Sequence, residues 1–172
     1  MGIRTVRTEG DECLRKVCKP VKSVSLRTRI LIEDMFDTMY ESGGVGLAAP
    51  QIGVLKRIVV MDTDDNQHVL INPQILEVSG EQTGYEGCLS IPGKSGIVTR
   101  PDYVKVKALN ERGEEYILEG EGLLARCICH ECDHLDGILY SDKAEGGLIN
   151  NEDLPEDEEE ELYEDAYEEF TE

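Results

Sequence analysis

Apolar residues at helical spacing predict a first helix between Ser25 and Tyr40. Intervals of three to four residues place these side chains on one face, which we expect to pack into the core. Gly43 and Gly44 follow directly and favour the end of the helix there, because glycine readily adopts the backbone conformation of a helix C-terminus. The apolar stripe consists of Leu26, Ile30, Leu31, Met35 and Met39.

Segments rich in Val and Ile predict strands after this helix. Two of them, Arg57–Asp62 and His68–Val78, are separated by the turn-prone residues 64–66. Two alternating segments farther along, Val104–Leu109 and Glu115–Glu119, flank a turn signal at residues 110–113 and predict a hairpin. We therefore expect antiparallel or mixed β-sheets.

The apolar pattern returns to helical spacing near residue 123 and predicts a second, buried helix. Its apolar positions are Leu123, Leu124, Ile128, Leu135, Ile138 and Leu139. Strands followed by such a helix indicate an α+β domain whose sheets pack around this central helix, and the chain contains no evident repeat. A length of 172 residues and a hydrophobic content of 40% suit one compact domain.

Charge divides the chain unevenly. Residues 152–172 hold 13 of the 37 acidic residues and no Lys, Arg or His, which leaves 24 acids against 17 bases in the rest. We assign residues 1–148 to the folded domain and residues 149–172 to an acidic C-terminal tail. Apolar residues in the tail, Leu162, Tyr163, Ala166, Tyr167 and Phe170, favour a helix that docks on the body. A solubilising end without a partner is the alternative.

The N-terminus and the cysteines predict a cytoplasmic protein. Residues 1–6 lack the apolar core of a signal peptide, and no apolar run approaches the roughly 18 residues of a membrane helix. Without an export signal, the 6 cysteines are expected to be reduced. Cys129 and Cys132 form a Cys-x-x-Cys pair, but no second pair completes a zinc ribbon, so we favour free thiols there.

The most specific chemical signal is the run His130-Glu131-Cys132-Asp133-His134. On a helix the two histidines lie one turn apart on the same face, with Glu131 beside them. Two neutral imidazoles so placed can bind a divalent metal while the carboxylate reaches a metal-bound water. The same pattern also occurs by chance on solvated helices. Apolar flanks and the scarcity of histidine, with only His68 elsewhere, favour the metal site.

Two further segments have unusual compositions. In Gly44–Gln51 small residues allow a ligand close to the backbone, and Gln51 supplies an amide that both donates and accepts hydrogen bonds. A glycine-rich turn after a helix is the ordinary alternative. In Glu86–Ser90 a cysteine follows glycine, and Cys88 is either a buried thiol or a ligand.

Together these three segments resemble, in order and separation, the three motifs of the peptide deformylases. These are metal enzymes that remove the formyl group from the N-terminal methionine of new polypeptides. The resemblance also includes Gly10–Val17 and Leu123–Cys127 and extends to about Lys143. It implies that Cys88, His130 and His134 are the metal ligands, which leaves a fourth position for water. The family typically uses Fe²⁺, and the same ligand types would also suit Zn²⁺, Ni²⁺ or Co²⁺.

The resemblance also implies the catalytic roles. Metal-bound water attacks the formyl carbon, while Glu131 serves as general base and then as general acid. The Gln51 amide and the Leu89 N–H stabilise the oxyanion. Gly46 contacts substrate through its backbone, and Arg100 matches an arginine that contacts the substrate backbone in relatives. We expect N-formylmethionyl peptides to bind in extended form along a strand edge, with methionine in an apolar pocket.

Two departures from the family pattern change the expectations. Cys129 stands where the family usually has Gln, and Cys132 replaces an aliphatic residue, which predicts a helix more sensitive to oxidation. Some relatives carry a basic C-terminal helix that docks on the ribosome, whereas RNA phosphates would repel the acidic tail. We therefore expect no ribosome docking through the tail, although the body could still bind the ribosome. We also expect a monomer that binds neither DNA nor membranes.

Two rival functions remain open at this stage. A zinc peptidase could take a downstream acid such as Glu145 as its third ligand, although the longer metalloprotease pattern has Tyr140 in place of its third histidine. That reading leaves Cys88 and Gln51 unexplained. A non-catalytic metal-binding or ribosome-associated module is the other, and it leaves the complete set of catalytic groups unexplained.

Overall fold

The first predicted helix is present as α1, Leu26–Glu41, in the computed structural model, which describes residues 2–155. The Ser25 hydroxyl accepts a hydrogen bond from the Thr28 N–H and so caps the helix. Three members of the predicted apolar stripe are buried, namely Leu31, Met35 and Met39. Two are exposed, namely Leu26 and Ile30. The stripe therefore packs into the core through its central and C-terminal part only.

Five strands form the larger sheet. They are β1 (Gly46–Ala48), β2 (Ile58–Asp62), β3 (Gln67–Ser79), β6 (Tyr103–Leu109) and β7 (Glu115–Glu121). They are arranged in the order β1-β2-β3-β6-β7, with every neighbouring pair antiparallel. β2 and β3 match the two predicted strand segments, and β6 with β7 forms the predicted hairpin.

A smaller sheet was not predicted. It consists of β4 (Gln82–Cys88), β5 (Ile91–Arg100) and β8 (Glu145–Asn150), in the order β4-β5-β8. The predicted domain boundary at residue 148 falls inside β8, which pairs with β5. Leu154, beyond that strand, is also buried. The packed body therefore continues through Leu154 rather than ending at residue 148, and the predicted tail helix lies outside the described residues.

The second predicted helix is α2, Gly122–Leu135, and it packs against strands of both sheets. Its fully buried residues include Ala125, Ile128 and Leu135, which join the core of the larger sheet. The predicted α+β class, with sheets packed around a central helix, is confirmed. Neither helix in residues 2–155 combines the length and hydropathy that a membrane span requires.

Candidate active site

The fold brings Cys88, His130 and His134 together, with Cys88 at the end of β4 and the histidines on successive turns of α2. One potential ligand atom from each lies within 4.8 Å of the others. Cys88 Sγ is 3.4 Å from His134 Nε2. A tetrahedral ion about 2.3 Å from sulfur and about 2.1 Å from nitrogen would separate such atoms by about 3.6 Å. The donor set and its spacing therefore fit a divalent transition metal.

Glu86 orients His130 through the ring nitrogen Nδ1. His130 Nδ1 lies 2.8 Å from Glu86 Oε1. If the Nδ1–H donates to this carboxylate, Nε2 of His130 is left as the ligand atom. Burial alone would raise the pKa of Glu86, but hydrogen bonds from His130 and Arg100 hold it well below its ordinary value. Glu86 is therefore a permanent anion beside the candidate centre.

The two histidines differ in their electrostatic surroundings. Burial lowers the pKa of His130, but its interactions with Cys88 and Glu86 outweigh burial and raise that pKa above its ordinary value. For His134, burial and the neighbouring His130 both act in one direction and lower the pKa well below its ordinary value. His134 is thus a neutral imidazole, the form that binds a metal ion, whereas an ion at His130 competes with a proton.

Glu131 is a buried carboxyl group that faces the same space. Its Oε1 lies 3.9 Å from His134 Nε2. Among the described residues this oxygen has no hydrogen-bond partner. Burial is the main reason that the pKa of Glu131 rises to about 7. A carboxyl group that titrates near neutrality can both accept and return a proton, which is what a general acid/base requires.

The Gln51 side chain is held in one orientation. Its Oε1 accepts a hydrogen bond from the Ala48 N–H at 2.9 Å, which fixes the amide so that Nε2 points the other way. Nε2 donates to Ser90 Oγ at 3.1 Å and lies 3.7 Å from Cys88 Sγ. The Gln51 amide N–H groups are therefore aimed toward the candidate metal ligands.

Two glycines allow the three sequence motifs to meet. A Cβ on Gly46 would lie only 2.5 Å from Glu131 Oε2 and 2.8 Å from Cys127 Sγ. A Cβ on Gly44 would lie 2.7 Å from a methyl carbon of Leu89, which lies in the turn between β4 and β5. A side chain at either glycine would displace the side chain of Glu131 or Leu89, so glycine at both positions permits the observed contacts.

Arg100 does not lie where a substrate contact was predicted. Its side chain is 2% exposed. Two of its nitrogens donate to Glu86 at 2.9 Å, and its third donates to Asp133 at 2.7 Å. Because the guanidinium is enclosed by these two carboxylates, it supports the protein interior instead of reaching a bound peptide.

The cysteines of α2 separate into two groups, as helix geometry predicts. Cys127 Sγ lies beside Gly46 on the side of Glu131. All three cysteines are buried in the same core cluster, and burial raises the pKa of the Cys129 and Cys132 thiols. Oxidation and alkylation require an accessible thiolate. Neither Cys129 nor Cys132 meets this requirement, which argues against the predicted sensitivity of the helix.

The peptidase alternative lacks its third ligand among the described residues. Glu145 is exposed on β8, and its Oε1 accepts a hydrogen bond from Thr99 at 2.8 Å. The group of potential ligands contains Cys88 instead. Tyr140, at the position of the third protease histidine, stacks on the His130 ring with 5.9 Å between centroids.

Three residues near the site were missed by sequence reasoning. Glu86 lies two residues before Cys88, and strand alternation would have placed the two on one face had β4 been predicted. Arg126 precedes His130 by one helical turn, and its Nη1 lies 2.5 Å from Glu86 Oε2. Ser90 gave no signal, since its contact with Gln51 is formed only by the folded chain.

Comparisons with a family model, with related sequences and with solved structures all find similarity to peptide deformylases. A family model described as polypeptide deformylase matches residues 3–147. The peptide deformylase of Agathobacter rectalis is 61% identical over 148 residues, which cover 86% of this chain and 94% of the relative. The peptide deformylase of Lachnoclostridium phytofermentans is 55% identical over 163 residues, which cover 93% of this chain and 100% of the relative. The crystal structure of peptide deformylase from Thermotoga maritima matches with a TM-score of 0.82 at 42% identity, covering 84% of this chain and 99% of that one.

Proposed function

The chain belongs to the polypeptide deformylase family and is a hydrolase, and on that premise we propose that it releases formate from N-formylmethionyl peptides of nascent chains. One observation carries the proposal. Cys88, His130 and His134 form a compact ligand group within 4.8 Å beside the buried Glu131 and the fixed Gln51 amide. Hydrolysis of an amide needs an activated water, a proton carrier and a site for the oxyanion, and these residues supply all three.

Cys88, His130 and His134 would hold one divalent ion. Such an ion, when bound, lowers the pKa of water and polarises the substrate carbonyl. Fe²⁺ is our first choice, in line with the family resemblance, and Zn²⁺, Ni²⁺ or Co²⁺ suit the same thiolate and imidazole donors. Glu86 supports this role because it occupies the Nδ1 side of His130 and leaves Nε2 for the ion.

Glu131 carries the proton in both halves of the reaction. Its carboxylate takes a proton from the attacking water and then delivers one to the nitrogen of the departing peptide. Two observations support this assignment: Oε1 has no hydrogen-bond partner within residues 2–155, and the pKa of the group is about 7. Glu131 also lies close to Gly46. Because Gly46 has no side chain, the substrate would be able to approach the Glu131 carboxylate there.

Gln51 and Leu89 would stabilise the negative charge that develops on the formyl oxygen. The Gln51 amide is already locked by Ala48 and Ser90, so little reorganisation is needed when the charge appears. The Leu89 N–H would be the second donor, because Leu89 directly follows Cys88 in the turn between β4 and β5.

The substrate peptide would bind as an added strand. β1 is an edge strand of the larger sheet and contains Gly46, so a peptide would pair with the backbone groups on its open side, apart from the Ala48 N–H, which donates to Gln51. Such bonds tolerate many sequences after methionine. Arg100 has no part in this contact, because it is enclosed by Glu86 and Asp133.

We further propose that the protein acts in the cytoplasm as a monomer near the ribosome, without docking through its acidic end. Ribosome pelleting of the full chain and of a form lacking residues 152–172 tests the last point. Equal pelleting, or stronger pelleting of the shortened form, supports it, whereas loss of pelleting on truncation contradicts it.

Formate release from formyl-Met-Ala-Ser under anaerobic conditions tests the main proposal. Wild type loaded with Fe²⁺ or Co²⁺ is compared with Glu131→Gln, and Glu115→Gln is the matched control because Glu115 is exposed on β7. We expect release by wild type and by Glu115→Gln, and a loss of at least about 100-fold in Glu131→Gln. No release by metal-loaded wild type would contradict the proposal.

A further inference from the structure

We propose that Arg126 is a positioning residue for the candidate metal centre, acting through Glu86 on His130. The inference rests on the proposed metal site and extends it beyond the ligands themselves. Arg126 is 9% exposed and lies on α2, one helical turn before His130. Among the described residues its guanidinium donates to Glu86, Gln82 and Val98 and to neither histidine, so it would influence the ion through these contacts.

Arg126 connects the two elements that supply the ligands. Its Nη1 donates to Glu86 Oε2 at 2.5 Å and to the Val98 carbonyl on β5 at 3.1 Å. Its Nε and Nη2 reach the side chain and the carbonyl of Gln82, both at 3.4 Å, at the start of β4. Cys88 lies on β4 and the histidines lie on α2. Because Arg126 links these two elements, it helps to fix the position of the thiolate relative to the imidazoles.

The four donors around Glu86 explain why Arg126 is needed in addition to Arg100. Oε1 lies 2.8 Å from His130 Nδ1 and accepts from Arg100 Nη2 at 2.9 Å. Oε2 accepts from Arg100 Nε at 2.9 Å and from Arg126 Nη1 at 2.5 Å. A carboxylate has about four acceptor sites, and all of them are used here. Without Arg126, Oε2 keeps one donor, and the carboxylate plane that orients His130 is less constrained.

Charge pairing gives the same conclusion. Arg100 divides its donors between Glu86 and Asp133, and Asp133 also pairs with Lys143 at 2.9 Å. Arg126 is the second cation on Glu86, so the two buried arginines face two carboxylates. Removal of Arg126 leaves Glu86 with Arg100 as its one arginine partner, and Arg100 also donates to Asp133, so Glu86 is held less firmly beside His130.

Arg57 provides a matched control. Its Nη1 donates to the Leu135 carbonyl at 3.1 Å and to Asp136 at 3.0 Å, so it anchors the opposite end of α2. Within the described part of the chain, its side chain makes no hydrogen bond to Glu86. Substituting Met for either arginine removes one guanidinium anchor of the same helix, but only Arg126→Met disturbs the carboxylate behind His130.

The test measures Co²⁺ affinity by chelator competition in wild type, Arg126→Met and Arg57→Met, together with the visible absorption of the Co²⁺-loaded proteins. We expect the Kd of Arg126→Met to rise about tenfold with an altered spectrum, and that of Arg57→Met to stay within about twofold with an unchanged spectrum. A rise in Arg126→Met below about threefold, or an equal rise in both variants, overturns the inference.

Two further comparisons keep the test decisive. If Arg126→Met does not fold, Arg126→Lys replaces it, because Lys keeps the charge but cannot reach β4, β5 and Glu86 together. A raised Kd in Arg126→Lys supports the inference, and a wild-type Kd overturns it. Failure of the wild-type protein to bind Co²⁺ contradicts the proposed metal site itself, whereas equal affinity of wild type and the Arg126 variant contradicts only the role of Arg126.

Discussion

Replacing Glu131 by Gln should stabilise the metal-free protein, and the gain should grow as the pH rises. The carboxyl group of Glu131 is buried, and its Oε1 has no hydrogen-bond partner among the described residues. Ionisation in that position is unfavourable, which is why burial raises its pKa from 4.5 to about 7. Gln has nearly the same shape and never ionises, so the variant avoids this cost.

The magnitude follows from the two pKa values. Between them the folded state holds the Glu131 proton more tightly than the unfolded state does, so the free energy of unfolding falls as the pH rises through this window. At 1.36 kcal/mol per unit, the full cost above the folded pKa is about 3 kcal/mol. The cost is about 1 kcal/mol at pH 5 and about 3 kcal/mol at pH 8.

Urea unfolding of chelator-treated wild type and Glu131→Gln at about pH 5 and about pH 8 measures the effect. The stability difference between the two proteins should increase by about 2–3 kcal/mol in favour of the variant across this interval. Glu115→Gln, at an exposed position, controls for the loss of one surface carboxyl group. A difference between wild type and Glu131→Gln that does not change with pH would refute the reasoning.

Three other predictions concern the same site. Cys88→Ala should abolish retention of the metal measured by elemental analysis, while Glu145→Ala should retain it, and the opposite pattern would favour the peptidase alternative. Gly46→Ala should lower kcat by about 100-fold because its Cβ would collide with Glu131, and unchanged kinetics would contradict the observed packing. Wild type and Cys129→Ser should lose activity at the same rate during alkylation, since this thiol is buried, and faster loss by wild type would contradict that burial.

Local sequence patterns predicted the helix and strands that have clear apolar content. α1 has helical spacing, β2 and β3 are rich in Val and Ile, and the β6–β7 hairpin alternates, and each was predicted within one or two residues of its ends. β4 and β5 were missed because Gly84, Gly87, Pro92, Gly93 and Gly96 interrupt the alternation. Cys88 is the last residue of β4, and β5 follows it after a short turn. The segment with the least regular apolar pattern therefore supplies one of the three candidate metal ligands.

The candidate site was predictable where its spacing is local. His130 and His134 are one helical turn apart, and the structure places their ring centroids 5.1 Å from each other. The place of Cys88 beside them came only from the resemblance, since no local rule relates residues 42 positions apart. The burial of Arg100 was not predictable for the same reason, because Glu86 and Asp133 reach it from separate elements.

Simultaneous measurement of both products most directly tests the claim that this site hydrolyses the formyl amide bond. The metal-loaded protein is incubated anaerobically with formyl-Met-Ala-Ser, and formate and the free N-terminal amine are quantified together. The account predicts equal amounts of the two products, an intact Met-Ala-Ser peptide, and a rate of formation of both products that is at least about 100-fold lower with Glu131→Gln. Cleavage inside the peptide without formate, or undiminished turnover by Glu131→Gln, would contradict it.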